Sequence, residues 1–471
     1  MGNNNRSINV ALDIGTHKVA CLVAENDENG LKILGLGVTE SEGLNRGVVV
    51  QIGKTVETIK KVIAQAESQS GIKIEEVTVG IAGDHIEALQ TRCLVGISGD
   101  NPEVRKIDVD RLLQEAKKLP IKSDDRIIHI LPSEFIVDGQ DGITDPLGMS
   151  GTRLEGIIHV ITGKVTAIKN IERCVEKAGL KVKNIVLEPM ASSRAVISRD
   201  EKEVGVALVD IGGGTTDIAV FQNGVLRFTS IFAIAGKHVT EDVKEVFKII
   251  QHQAEKVKRE HGHCYPEKMI EDKVFMVPGI AGRQPRELNK LDLSKVINAR
   301  MEEIFSIANS ELQKSGYGDK LGAGIVLTGG TCLLNGTEDL AHDVFENSIK
   351  LGIPAGVTYT GLGPEVESPV YATGVGLLLW AFDKDEDSET ITKQKIEIKK
   401  SDEKELESSH SEPKFGFKSI FKSFGFKNEE ETDEEEESIT DKISETKKTG
   451  SSLKEKTSTA GSKLRKFVEG L

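Results

Sequence analysis

Asp13 and Asp210 each stand two residues before a glycine, in turns that are built alike. Asp13-Ile14-Gly15-Thr16-His17-Lys18 follows an apolar run from Asn9, and Asp210-Ile211-Gly212-Gly213-Gly214-Thr215-Thr216 follows one from Gly205. In both places an apolar run resumes after the turn, at Val19 and at Asp217-Ile218. Each stretch reads as a hairpin with an acid at its tip. Glycines let successive backbone N–H groups converge on one point, which makes a concave anion site, and Thr16, Thr215 and Thr216 add hydroxyl donors. That is a site for a polyphosphate, and a polyphosphate brings Mg2+. Because Mg2+ keeps several waters, Asp13 and Asp210 on facing hairpins are expected to hold it through those waters. A single Asp-x-Gly turn is far more often structural; the repetition is what points to a ligand.

A third glycine cluster, Leu327-Thr328-Gly329-Gly330-Thr331, ends another apolar run. A flat ring can lie on bare backbone there, so Gly329, Gly330 and Thr331 are assigned to adenine. Glu255 and Lys258 are three apart in a helical stretch and share a face. They are read as a ribose clamp, although a solvated helix pair is the commoner meaning of that spacing. His261-Gly262-His263-Cys264 carries metal-capable groups but has no second cluster, and an exposed turn is expected.

The elements that must position these residues are legible by period. Lys54 to Ser70 puts Val56, Ile59, Ile63 and Ala66 on one face before a stop at Gly71, and Val77 to Ala82 reads as a strand. Lys164 to Gly179 repeats the arrangement ahead of Val182 to Leu187. Strand, strand, helix, strand in each half predicts two related α/β lobes.

Composition sets the frame. The chain has 471 residues, 38% hydrophobic and 29% charged, enough for more than one core. A net charge of -14 argues against nucleic acid as a partner. Five cysteines without a C-x-x-C pair fit a reducing compartment. Met1 to Ser7 is polar, and no apolar run approaches the roughly 18 residues of a spanning helix. A chain that is neither secreted nor membrane-spanning is expected.

From Asp383 to Leu471 the chain is rich in Glu, Lys, Ser and Thr, the composition of a disordered tail. Two segments in it differ. Phe417, Ile420, Phe421 and Phe424 fall at helical spacing among Lys414, Lys418, Lys422 and Lys427, and Leu464, Phe467, Val468 and Leu471 do so beside Lys463, Arg465 and Lys466. Both read as short basic amphipathic helices suited to an anionic membrane interface.

Asp13 to Thr16, Asp210 to Thr215, Leu327 to Thr331, Glu188-Pro189-Met190-Ala191 and Ala372-Thr373-Gly374 resemble, in order and spacing, the nucleotide elements of the actin, Hsp70 and sugar-kinase superfamily. More narrowly, His129 to Gln140, Asp145 to Leu154 and Met276 to Arg283 resemble the FtsA family of bacterial division proteins. The resemblance covers about residues 8 to 382. It implies an α/β, actin-like two-lobe ATPase fold with an inserted small subdomain in the first lobe. Residues 8–82 and 164–201 would form the first core lobe and 83–163 the inserted subdomain. Residues 202–229 and 310–382 would form the second core lobe, and 230–309 its outer subdomain.

The resemblance also implies ATP with Mg2+ between the lobes, adding His17, Lys18 and Gly236 to the nucleotide contacts, and an ATPase that is slow at most. Glu188 then either orients a hydrolytic water or is a structural connector between lobes. Implied partners are copies of the same chain in a filament, other division proteins, and the C-terminal tail of FtsZ docking at Lys295 and Arg300. The implied location is the inner face of the cytoplasmic membrane at the division site, as a peripheral protein. A pilus-assembly adaptor and a sugar or acid kinase of the same fold are the alternatives.

Overall fold

The computed structural model describes residues 8–27, 30–99, 102–269, 273–355, 357–359 and 366–383. The segments around 413–427 and 462–471 therefore lie outside the described residues.

Strands β1 (Ile8–Ile14), β2 (Lys18–Asp27) and β3 (Gly30–Glu40) form an antiparallel meander, with Asp13 opposite Ala20 at the first turn. A two-residue ladder, β4 (Leu44–Asn45) with β5 (Val48–Val49), leads to helix α1 (Ile52–Ser70). Val56, Ile59, Val62, Ile63 and Ala66 are buried on one face of α1, and Gly71 ends it with φ +68°. Burying each large apolar side chain is worth about 1.5–3 kcal/mol, which fixes the face that meets the sheet. The helix packs so closely on β3 that a Cβ at Gly37 would lie 1.9 Å from the Val62 carbonyl oxygen. The chain returns as β6 (Glu76–Ile81), parallel to β1.

Before the first lobe is complete, residues from β7 (Ile86–Gly96) through α2 (Lys106–Lys117), β8 (Asp125–Val137), β9 (Gln140–Ile143) and β10 (Arg153–Lys164) build a separate four-stranded sheet in the order β7-β10-β8-β9. Leu112 of α2 packs with Val95, Phe135, Leu154 and Ile158 in a core of its own. Helix α3 (Val165–Lys177) and β11 (Lys181–Leu187) then finish the first lobe.

Helices α4 (Glu188–Val196) and α5 (Arg199–Val204) cross to the second lobe, where the pattern repeats. β12 (Val206–Ile211), β13 (Thr216–Gln222) and β14 (Val225–Phe232) are a second meander. Helices α6 (Gly236–Phe247) and α7 (Gln251–His261), the hairpin β15 (Val274–Val277) with β16 (Arg286–Asn289), and the long α8 (Lys290–Lys314) follow. β17 (Ile325–Thr328) pairs parallel to β12, and α9 (Thr337–Phe345) with β18 (Ile349–Leu351) extends the sheet. β19 (Val357–Tyr359) crosses back to pair with β3 of the first lobe. Each lobe thus opens with three strands where two were expected, because β3 and β14 extend the hairpins.

A last helix, α10 (residues 372–383), runs between the lobes. Its Ala372, Val375, Leu378 and Phe382 join Leu22 and Ile33 of the first sheet and Leu208 and Val326 of the second in one core. A Cβ at Gly376 would sit 1.8 Å from the Ala191 carbonyl oxygen, so α10 and α4 touch backbone to backbone. Asp383, on the same helix, pairs with Arg194 of α4.

All five cysteines are free and buried. The stretch expected as an exposed turn, His261 to Cys264, is instead packed in. Cys264 is fully buried, its Sγ lies 3.2 Å from the Asn335 carbonyl oxygen, and burial pushes its thiol up to about 11. The backbone groups of this stretch find partners inside the fold: Cys264 N–H donates to the Asn335 carbonyl at 2.8 Å, Ser294 Oγ to the His263 carbonyl at 2.7 Å and Asn298 Nδ2 to the Cys264 carbonyl at 2.8 Å.

Candidate functional site

The two Asp-x-Gly turns are closed by the same hydrogen bond. Gly15 N–H donates to the Lys18 carbonyl at 3.0 Å, and Gly212 N–H donates to the Thr215 carbonyl at 3.0 Å. The turns meet tip to tip across the lobes: a Cβ at Gly213 would lie 2.7 Å from His17 Cβ, and one at Gly214 would lie 2.2 Å from Thr16 Oγ1. The bareness of these two glycines therefore serves the opposite hairpin as well as any anion. The start of α6 caps the second turn from behind, with Gly236 N–H and Thr331 Oγ1 both donating to the Gly212 carbonyl at 3.2 and 2.8 Å. Gly329 takes φ +89°, and a Cβ on it would meet Asp210 Oδ1 at 2.5 Å. Gly330 has only Val370 Cγ2 near, at 3.7 Å from such a Cβ.

Behind the turns lies a knot of carboxylates. Asp13 is buried and accepts from Lys18 Nζ at 2.5 Å, and that ammonium also sits 5.3 Å from the Tyr371 ring centre. Asp210 is buried and accepts from Ser192 Oγ at 2.6 Å; burial outweighs that bond and raises its pKa to about 6. Asp217 is buried opposite Asp210 in the β12–β13 register, with Oδ1 lacking a partner. Its carboxyl is pushed well up by burial and by Asp210. Glu188 lies over Gly80 of β6, and burial, with Asp13, Asp217 and Asp210 around it, raises its carboxyl well above the usual range while Lys18 pulls the other way. Clustered acids that resist ionisation are what a bound divalent cation relieves. Among the described residues no three acid, histidine or cysteine groups converge to chelate a bare ion.

Other assignments change in detail. Thr216 is fully buried and its hydroxyl donates to the Ile234 carbonyl at 2.7 Å, so that hydroxyl is not free to donate to a phosphate. Glu255 and Lys258 are not a solvated pair. Lys258 is 7% exposed and directs its ammonium to the Gly236 carbonyl (3.1 Å), Thr240 Oγ1 (2.9 Å) and Glu255 Oε2 (2.7 Å). Its three donors are thereby spent, and it fixes α7 to the start of α6. Glu255 Oε1 faces His17 Nε2 at 3.8 Å, joining the clamp to the first hairpin. Arg300, expected on an exposed docking face, is largely covered. It makes a fork to Asp242, at 2.5 and 2.9 Å, and bonds Glu303. Lys295 is the more exposed of the two, 3.3 Å from Asp292.

Asp217 and Ser192 were missed by sequence reasoning. Asp217 was legible in principle, since it follows Asp210 by one hairpin; Ser192 gave no signal beyond lying after Glu188-Pro189.

The family profile described as "Cell division protein FtsA" matches residues 207–376, and that of the "SHS2 domain inserted in FTSA" matches residues 83–162. The chain is 42% identical over 384 residues to the cell division protein FtsA of Pseudomonas aeruginosa, covering 81% of this chain and 91% of that protein. It is 40% identical over 378 residues to that of Bacillus subtilis, covering 80% and 84%. The chain belongs to the FtsA family of cell division proteins. FtsA of Escherichia coli is 37% identical over 382 residues, covering 79% and 90%. Among solved structures, the PilM–PilN type IV pilus biogenesis complex aligns with TM-score 0.58 at 16% identity, over 79% of this chain and 97% of that one, a likeness of fold alone. The fold is the actin-like ATPase fold, with the FtsA-type subdomain inserted at β7–β10. The FtsA relatives set aside the pilus-adaptor and kinase alternatives.

Proposed function

We propose that this FtsA-family protein binds Mg2+·ATP between its lobes, assembles with its own copies beneath the bacterial cytoplasmic membrane, and holds FtsZ filaments there. The observation that carries the reading is the pair of identically closed Asp-x-Gly turns, set tip to tip with buried acids behind them. Phosphates would lie against the turn N–H groups beside Lys18, and adenine against Gly329 and Gly330. Mg2+, held through water by Asp13 and Asp210, would supply the positive charge that offsets the phosphates. The remaining steps belong to the chain: Lys258 anchors Gly236, Ser192 orients Asp210, and Gly80 leaves room for Glu188. Glu188 stands among Asp13, Asp210 and Asp217, beside the place proposed for Mg2+, which is where a water-orienting group would act. Glu188→Ala should then lower any ATP hydrolysis at least about tenfold while leaving ATP affinity nearly unchanged, since a water-orienting group acts mainly in the transition state. Unchanged turnover in a phosphate-release assay would assign Glu188 to structure.

In this reading residues 8–82 and 164–201 form the first core lobe, 83–163 the inserted subdomain, 202–229 and 310–382 the second core lobe and 230–309 its outer subdomain, with β19 (Val357–Tyr359) of the second stretch lent to the first lobe's sheet. For the FtsZ tail, Lys295 is the better probe. Lys295→Glu should weaken capture of an FtsZ tail peptide several-fold without lowering the melting temperature, whereas Arg300→Glu should lower it, because Asp242 and Glu303 would face a third carboxylate. Peptide affinity unchanged in Lys295→Glu would move the docking face elsewhere.

Among the described residues no helix is long and apolar enough to cross a membrane, and the proposal gives attachment to the two basic segments instead. One segment inserts four apolar side chains only partly, and its ordering and association costs leave binding marginal. Two segments, multiplied along a polymer, make it stable. Purified protein should sediment with anionic vesicles and carry FtsZ with it, and Phe421→Glu with Phe467→Glu should leave both in the supernatant. A double variant that still pelleted would end the tether reading.

A further inference from the structure

The inserted subdomain is chained to the first lobe through residues 82–86 and 163–165, yet its side chains also grip the second. Arg227 of β14 donates from Nη1 to the Ser133 carbonyl at 2.8 Å, and Ser133 Oγ donates back to the Leu226 carbonyl at 3.2 Å. Arg227 also lies 3.6 Å from Glu134 Oε2, whose other oxygen accepts from Gly142 N–H at 2.7 Å. Farther along β14, Thr229 Oγ1 meets His159 Nε2 at 3.1 Å. Ser133, His159 and Thr229 are buried, so these bonds sit in a dry seam rather than at a wet rim. On the opposite side, His129 Nε2 accepts from the Leu187 N–H at 3.0 Å, immediately before the crossing helix α4. Leu131 of β8 and Leu226 of β14 both pack into the core that α10 shares with the two lobes.

One small sheet is therefore bonded to both walls of the cleft. β14 is no remote strand, since it pairs with β13, whose first residue Thr216 directly follows the second glycine turn and lies opposite Phe232. If the walls separate, either the β14 seam or the Leu187 contact has to break, because buried polar groups left unpaired are costly and the seam cannot stretch.

We propose that the inserted subdomain is a brace across the cleft, holding the second lobe through Arg227 and Thr229 and so limiting opening and slowing exchange of what is bound there. The exchange arm rests on the nucleotide reading; the brace itself does not.

The test uses the full chain with spin labels on Lys61→Cys in α1 and Ser348→Cys before β18, both exposed, with the native thiols buried. Without nucleotide, pulsed electron resonance should give one narrow interlobe distance in the otherwise unaltered protein. Thr229→Val, which keeps volume, and Arg227→Gln should each lose that narrow peak to a broader, longer distribution, and Thr229→Ser, which keeps the hydroxyl, should restore it. Identical distributions in all four proteins would overturn the brace. In the second arm, a fluorescent ATP analogue preloaded with Mg2+ should leave Arg227→Gln several-fold faster than the parent. Equal release rates would also count against the brace, while failure of the parent to bind the analogue would count against the nucleotide reading alone and leave the distance result to decide.

Discussion

A Gly212→Val variant should fold normally and lose ATP binding at least about 100-fold, roughly 2.7 kcal/mol. A Cβ at Gly212 meets nothing closer than the Thr215 carbonyl oxygen, at 3.5 Å, and its backbone is not in the left-handed region. The protein itself therefore has little against a side chain there. The two methyls would instead occupy the concave space that the turn N–H groups define, where a phosphate would sit. Neighbouring positions give no such clean result. Valine at Gly214 would press on Thr16 and at Gly213 on His17, forcing the hairpins apart whether or not a ligand exists. Titration of a fluorescent ATP analogue beside a thermal melt separates the outcomes. An unchanged melt with lost binding supports the site, and full-strength binding by Gly212→Val removes this turn from it.

Acid should weaken the fold through His159. Burial lowers its pKa to about 4, from an ordinary 6.5. Its Nε2 faces Thr229, and Nδ1 is buried without a partner, so no neighbouring group rewards the charged ring. In the unfolded chain the imidazole takes up its proton as pH falls through about 6.5, whereas the folded protein resists until about 4. Stability from this group is thus full above about pH 7 and drains away between those values. The span amounts to about 3 kcal/mol. His159→Gln removes the titration, so the gap between the two proteins' urea midpoints should change in the variant's favour from pH 7.5 to pH 5. A constant gap would mean that the ring is protonated in the fold or reaches solvent.

The hairpins that carry Asp13 and Asp210 were legible because an Asp-x-Gly break interrupts a period-two apolar run twice. β3 was not, since Gly35 and Gly37 look like punctuation; in the fold they are bare because the backbone of α1 lies on them. The spacing of Glu255 and Lys258 correctly placed them on one helical face, as α7 shows, but spacing carries no information about depth, and α6 covers the pair. Arg300 failed for the same reason, since its partner Asp242 comes from a helix 58 residues earlier. Thr216 illustrates a subtler limit. A hydroxyl beside a glycine turn points inward or outward according to strand register, and here register turns it inward, to Ile234. Asp217, on the same hairpin, was overlooked because it reads as the polar start of a strand.

The placement of α10 fixes where force enters the molecule. The helix is described as far as residue 383, sandwiched between the two sheets, touching α4 backbone to backbone and tied to it by Arg194 and Asp383. Load delivered at Asp383 is not absorbed by a surface loop. It travels along the axis of a helix that shears against Ala191, one turn from Glu188, and against the core shared by both lobes. Load on α10 is thus a mechanical input to the core between the lobes, and strain there would be felt by both walls of the cleft together.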